Sequence, residues 1–260
     1  MEPDPIRRRL RERLAELCLS NVRRSFEESA RRAEKEPLGY EEWLLELCEL
    51  ECQGRRRNRI ERLLRESKLP PEKDLTSFDM KRLPAKVARP FRTLLDGTFL
   101  DRRENLLIFG LPGSGKTHLL CALGQELIRR SCRKVLFTTC SLLVQELLEA
   151  KRDLKLPKLL KRLSRIEALI VDEMGYVQQS REEMEVLFTL LAERYERGSV
   201  LLTSNLPFSK WDTIFKDAMT TAAAIDRLVH HSVILELNLP SYRQEAAKRS
   251  RPPKKDEDAS

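Results

Sequence analysis

The alternation of apolar and polar positions divides the chain into two regimes. Through residues 6–68 the spacing is helical. Leu10, Leu14, Leu17 and Val22 form one stripe, and Trp43, Leu44, Leu47 and Leu50 a second. Ile60, Leu63 and Leu64 continue it after an arginine-rich turn, while Pro37 and Gly39 separate the first stretch from the rest. The pattern predicts a small domain of two to four helices, ended by Pro70 and Pro71, with a transition over 69–104. From residue 105 short apolar runs alternate with helical stretches. Leu106–Phe109, Lys134–Thr138, Ala168–Val171, Ser199–Thr203 and Val233–Leu237 have strand character; 116–130, 141–164, 181–197 and 208–231 read as helix. Five β runs separated by helices predict an α/β fold with a five-stranded, mostly parallel sheet flanked by helices. The expected organisation is a helical domain over 1–75, an α/β domain over 76–249 and a Pro/Lys/Asp-rich, disordered tail over 250–260.

Charge sharpens this picture. The formal net charge is +8, but the excess is local: +1 over residues 1–75, +10 over 76–164 and −3 over 165–260. A basic middle third favours a polyanionic partner. The six cysteines (Cys18, Cys48, Cys52, Cys121, Cys132, Cys140) include no CxxC pair and read as reduced, buried small hydrophobes. No apolar run approaches the roughly 20 residues that span a bilayer, and the N-terminus is too charged for a signal peptide. The expectation is a cytoplasmic protein without a membrane partner.

Two motifs carry chemistry. Gly110-Leu-Pro-Gly-Ser-Gly-Lys-Thr117 fits G-x-x-x-x-G-K-[ST], placed after a predicted strand and opening a predicted helix. Glycines let backbone N–H groups approach phosphate oxygens, and the helix N-terminus adds its positive end. Lys116 is expected to reach the β- and γ-phosphates of ATP and Thr117 to ligate Mg²⁺. Gly110, Pro112, Gly113, Ser114, Gly115, Lys116, Thr117 and the following His118 are the expected nucleotide contacts. Ala168–Glu173 is an apolar strand ending in two carboxylates. Asp172 would hold Mg²⁺, and Glu173 would polarise the water attacking the γ-phosphate.

A further strand, Ser199–Thr203, ends in Ser204-Asn205. In a parallel sheet it would finish beside Asp172, so Asn205 either orients the attacking water or simply forms the turn before Leu206-Pro207. Arg227 and Arg243 are candidates to neutralise phosphoryl charge, in cis or from a neighbouring subunit, or else surface arginines. His118, His230 and His231 lie at no metal-ligand spacing from acids or cysteines and read as structural.

These stretches together resemble the IstB-like ATPases, helpers of insertion-sequence transposition related to DnaC-type helicase loaders in the AAA+ initiator clade. The resemblance runs from about residue 10 to 245. It rests on GLPGSGKTHL (110–119), LIVDEMGY (169–176), RYERGSVLLTSNLPFSKW (194–211), AIDRLVH (224–230) and SYR (241–243). It implies an AAA+ P-loop fold with Asn205 at the sensor-1 position. It places Arg227 as an arginine finger acting across a subunit interface and Arg243 at sensor-2, contacting the nucleotide in cis. A finger in trans implies a homo-oligomer. The N-terminal helices resemble the family's partner-docking domain, where a transposase is engaged.

Lys151, Arg152, Lys155, Lys158, Lys161 and Arg162 form a basic run in which 151, 155, 158 and 162 share a helical face, although Pro157 interrupts the helix; the run is either a surface that meets duplex DNA phosphates without reading sequence or a solvated basic face. The implied function is an ATP-hydrolysing, DNA-bound oligomer that stimulates a transposase. The alternatives are a replicative helicase loader and a small-molecule kinase; Glu173 and Asn205 argue against the kinase, because they favour water as nucleophile.

Overall fold

The structure, a computed structural model, describes residues 4–35, 38–175, 180–211 and 218–242. The 250–260 tail lies outside them. The chain forms two compact units, 1–62 and 63–260.

In the first unit, Asp4 accepts the Ile6 N–H at 3.0 Å and Pro5 occupies the first turn, which together start α1 (Pro5–Glu16). Helices α2 (Ser20–Lys35) and α3 (Tyr40–Glu66) follow. Leu14, Val22, Phe26 and Leu47 bury against one another, with Leu19 and Trp43 packed beside them. Glu51, on α3, is buried and accepts the Asn21 and Val22 N–H groups at 2.8 and 3.2 Å. A carboxylate thus closes the positive end of α2. Only part of each apolar stripe is used: Leu10, Leu17, Leu44, Leu45 and Leu50 are exposed. Cys18, Cys48 and Cys52 are exposed too, contrary to the expectation that all the cysteines are buried. Cys18 stands in the turn after α1, and Cys48 and Cys52 lie on an exposed face of α3, whereas Cys121 and Cys140 lie in the α/β core, where burial pushes the Cys121 thiol up to about 12.

In the second unit, β1 (Asn105–Gly110), β2 (Val135–Thr139), β3 (Ala168–Met174), β4 (Ser199–Ser204) and β5 (Ser232–Leu237) form an all-parallel sheet in the order β2-β3-β4-β1-β5. This is the predicted α/β architecture. The central strands β3, β4 and β1 are buried on both faces and read as near-continuous apolar runs, while the edge strands β2 and β5 are only partly buried. The unit begins earlier than the Pro70-Pro71 break suggested. The Phe137 N–H donates to the Ser67 carbonyl at 2.7 Å, and the Gln125 amide donates to Pro70 and Lys73 carbonyls at 2.9 and 3.2 Å. Donors on β2 and on α6 (Lys116–Ser131) therefore claim the segment after α3. Between them and β1 lie α4 (Ala85–Leu94) and α5 (Thr98–Asp101).

The predicted 141–164 helix is two helices, α7 (Cys140–Arg152) and α8 (Leu156–Leu163). Leu154 takes a left-handed φ of 57°, and Pro157 stands in the first turn of α8, where its missing N–H costs nothing. Lys151 and Arg152 therefore end one helix while Lys155 precedes the next. The single helical face through 151, 155, 158 and 162 does not exist.

Two buried polar side chains tie the strand starts together. Arg194, the last residue of α9 (Arg181–Arg194), is 2% exposed. Its guanidinium donates to the Leu163, Ile166 and Ser199 carbonyls at 2.8, 3.1 and 2.8 Å, joining the entrances of β3 and β4. Burial pulls it down to about 10, so it stays charged at neutral pH. Asn105, opening β1, accepts the Val200 N–H at 2.8 Å. It also donates to the Leu228 carbonyl at 3.0 Å, near the end of α10 (Ala218–Val229). Arg194→Ala should lower unfolding free energy by about 3 kcal/mol in denaturant titrations, through lost packing and orphaned carbonyls. Arg194→Lys should recover only part, because one ammonium cannot span the carbonyls a guanidinium fork reaches. A loss below about 0.5 kcal/mol for the alanine variant, the level of ordinary surface changes, would contradict this role.

Candidate functional site

Strand β1 stops at Gly110, and the chain folds back over the strand end before α6 opens at Lys116. Gly113 and Gly115 take φ values of 81° and 96°. A Cβ on Gly113 would stand 2.2 Å from Ser241 Oγ, so only glycine fits that close approach. The first-turn N–H groups of Lys116, Thr117 and His118 have no intrahelical acceptor and lie at the positive end of α6. Ser114 Oγ is buried within the loop and has no hydrogen-bond partner among the described residues. The Lys116 ammonium donates to the Gly110 and Leu111 carbonyls at 2.7 and 2.9 Å. Donors, dipole and a glycine-lined backbone cradle all fit a polyphosphate.

A cleft of about 470 Å³ opens over this loop. Pro112, Gly113, Ser114, Gly115, Lys116, Thr117, His118, Glu173 and Asn205 line it, so most of the residues expected to serve the nucleotide and its hydrolysis converge there. Asp172 lies just beneath, 4% exposed. Its Oδ1 accepts from the Thr117 hydroxyl at 2.9 Å and from the Thr203 hydroxyl at 2.5 Å. The β3–β4 register slips between Val171 and Met174, and Glu173 takes a left-handed φ of 61°. That irregularity frees the Glu173 N–H, which donates to Thr203 Oγ1 at 2.9 Å, and leaves its side chain at the cleft. Two clustered hard oxygens, Thr117 Oγ1 and Asp172 Oδ1, suit Mg²⁺.

Several lining residues were not singled out from sequence. Thr203 is the hinge of the carboxylate pair; its position in the strand ending Thr-Ser-Asn was the available signal. Lys73, Ser77, Phe78, Asp79, Arg82 and Tyr242 close the cleft's other side. Hydrogen bonds from the Ser77 hydroxyl and amide, and from Thr76, hold the Asp74 carboxyl down to about 2 and shape this turn. His118 Nε2 lies 3.2 Å from Ser77 Oγ and 3.0 Å from the Asp74 carbonyl, and its ring meets Phe78 edge-on. His118 thus joins the turn to α6 as well as lining the cleft. Arg82 stacks over Tyr242, and the Tyr242 N–H donates to the Gly113 carbonyl at 3.0 Å. Arg243, the next residue, lies outside the described residues.

Arg227 is not in the cleft. It lies on α10, its guanidinium 4.5 Å over the Phe188 ring. Its carbonyl lies 3.5 Å from the side-chain amide of Asn105, at the opposite end of β1 from Gly110. Six strand residues span about 17 Å, farther than an arginine side chain reaches. Of the basic run, Lys151 pairs with Glu185, Lys155 with Asp153 and Arg162 with Glu146. Arg152, Lys158 and Lys161 are exposed with no ion pair among the described residues. No helix among the described residues is long and apolar enough to cross a membrane.

The sequence profile of the IstB-like ATP binding protein family matches residues 12–250. A Sinorhizobium fredii protein described as an insertion sequence ATP-binding protein is 39% identical over 235 residues, covering 90% of this chain and 78% of its own. One from Geobacillus stearothermophilus, described as an ATP-binding protein of insertion sequence IS5376, is 37% identical over 238 residues, covering 90% and 94%. Among solved structures, the DnaC helicase loader superposes with a TM-score of 0.57 at 16% identity, over 65% of this chain and 98% of its own, a likeness of fold. With a phosphate cradle at the end of β1, a carboxylate pair at the end of β3 and β4 between them in the parallel sheet, the chain belongs to the IstB-like ATP binding protein family.

Proposed function

We propose that this protein hydrolyses ATP with Mg²⁺ in the cleft, assembles with further copies of itself on duplex DNA, and stimulates the transposase of its own insertion sequence. The observation that carries the hydrolytic step is the Asp172 carboxylate bonded to both the Thr117 and Thr203 hydroxyls, with Glu173 turned into the cleft. The loop amides and Lys116 hold the phosphates. Thr117 and Asp172 are the residues to hold Mg²⁺, which when bound offsets phosphate charge. Glu173 accepts the proton of a water that Asn205 orients. The water oxygen bonds to the γ-phosphorus as the bond to the β–γ bridging oxygen breaks, releasing ADP and phosphate.

Arg227 lies too far from the cleft to act in cis, which supports a role in completing a neighbouring copy's site, where its charge would stabilise the transferring phosphoryl. Arg152, Lys158 and Lys161 are the cations left for DNA phosphates once the paired ones are set aside. The description of the relatives as insertion-sequence proteins points to a transposase as partner, and the exposed Leu10, Leu17, Leu44, Leu45 and Leu50 offer the N-terminal unit an apolar surface for it.

Lys116→Ala should abolish ATP binding measured by calorimetry. Glu173→Gln should retain binding and lose at least about 100-fold in phosphate release; near-normal turnover in that variant would remove Glu173 from its role. Mixing Arg227→Ala with Glu173→Gln subunits should restore part of the activity, since an intact cleft can then meet an intact arginine. Failure to recover at every mixing ratio would argue against action in trans. Reversing Arg152, Lys158 and Lys161 to Glu should weaken duplex binding and lower its salt dependence, by a log–log slope of up to about 3. Unchanged binding would place the DNA surface elsewhere. Capture of the element's transposase, but not of a replicative helicase, by the full chain with ATP is the outcome that separates this reading from a helicase loader.

A further inference from the structure

Far from the nucleotide cleft, the fold assembles a cluster that sequence spacing concealed. Glu196 stands in the turn between α9 and β4, and His230 and His231 at the junction between α10 and β5. All three are exposed, and their ligand atoms lie within 4.8 Å of one another. The backbone that carries them is fixed. The Arg197 and Gly198 N–H groups both donate to the Arg194 carbonyl at 3.0 Å, closing the turn in which Glu196 takes a left-handed φ of 58°. Buried Arg194 anchors that turn from below. On the other side, the His230 N–H donates to the Asp226 carbonyl at 2.9 Å, and the His231 carbonyl accepts from the Asn105 N–H at 2.7 Å.

We propose that Glu196, His230 and His231 form a three-residue zinc site with an open fourth position. Two imidazoles and one carboxylate are a donor set that Zn²⁺ takes readily, with ligand bonds of about 2.0–2.1 Å. Ligand atoms around a tetrahedral ion at that bond length stand about 3.3 Å apart. The three side chains lie at the surface, and a closure of about 1.5 Å from the 4.8 Å limit brings their ligand atoms to that spacing. The Tyr195 hydroxyl lies 3.0 Å from His230 Nδ1. With Nδ1–H donating to that oxygen, Nε2 is the nitrogen that faces the ion, the arrangement by which an outer partner orients a metal-bound imidazole. Tyr195 is therefore a positioning residue. A bound ion would join the α9–β4 turn to the end of α10, three residues beyond Arg227. The site stands independently of how Arg227 or the cleft functions.

The test uses the full chain with the exposed Cys18, Cys48 and Cys52 changed to Ser, so that surface thiolates do not compete. Zinc is titrated calorimetrically against this parent and against His230→Ala, His231→Ala, Glu196→Gln and Tyr195→Phe made in it. The parent should take up one equivalent with micromolar affinity. Each histidine variant should weaken uptake at least about tenfold, and Tyr195→Phe should weaken it by less than either, as an outer partner does. Zinc should raise the melting temperature of the parent and not that of the histidine variants, whose zinc-free melting should match the parent because the replaced rings are exposed. Indistinguishable titrations across parent and variants, or no saturable uptake by the parent up to about 1 mM zinc, would overturn the assignment.

Discussion

One oxygen holds the site together. Asp172 Oδ1 accepts hydroxyl protons from Thr117, in the first turn of α6, and from Thr203, near the end of β4. Three elements distant in sequence are thereby fixed at one point under the phosphate loop. The same Thr203 oxygen takes the Glu173 N–H, so the carboxylate that faces the cleft depends on the geometry of the one that does not. In a buried setting such shared bonds are stronger than in water, and removing one member leaves the others unsatisfied. The loop, the two carboxylates and the polar end of β4 therefore behave as one unit.

The opposite end of the sheet is held with equal care. Arg194 gathers carbonyls at the entrances of β3 and β4, and Asn105 joins β1 to β4 and to the end of α10. These are the strands whose far ends carry Asp172, Glu173 and Thr203, and the helix that carries Arg227. A close-packed parallel sheet transmits position along its strands with little give. Buried bonds at the strand entrances thus set where the reacting groups emerge at the exits. Arg194 opens one of the family-like stretches, yet its work is structural. Its partners are all backbone carbonyls, and its charge is satisfied by their dipoles rather than by a carboxylate.

Local chemistry was the part most readily read from residues. Gly110–Thr117 needs only its own glycines and the strand and helix on either side, so the nucleotide contacts followed from a short window. The carboxylate pair took its meaning from the phosphate loop upstream, since a strand ending in two acids is by itself often just a solvated strand end. Where helical period alone was trusted, it misled: Leu154 and Pro157 break the basic run into two helices, and half of its cations are neutralised by acids at positions 146, 153 and 185. The cysteines misled similarly, since burial depends on which helix face a partner covers and not on residue type.

By itself the sequence determined the α/β class, the strand runs, the phosphate loop and its two acids, because each is encoded by neighbours within a few positions. Only the tertiary structure decided that Thr203 bridges those acids and that Phe78, Arg82 and Tyr242 wall the cleft. It alone placed Arg227 beyond reach of its own site and brought Glu196 to the two histidines. Those relations join residues 30 or more positions apart, or turn on a slipped register and a left-handed residue at Glu173, and no local pattern of apolar and polar positions records a distance across a folded sheet.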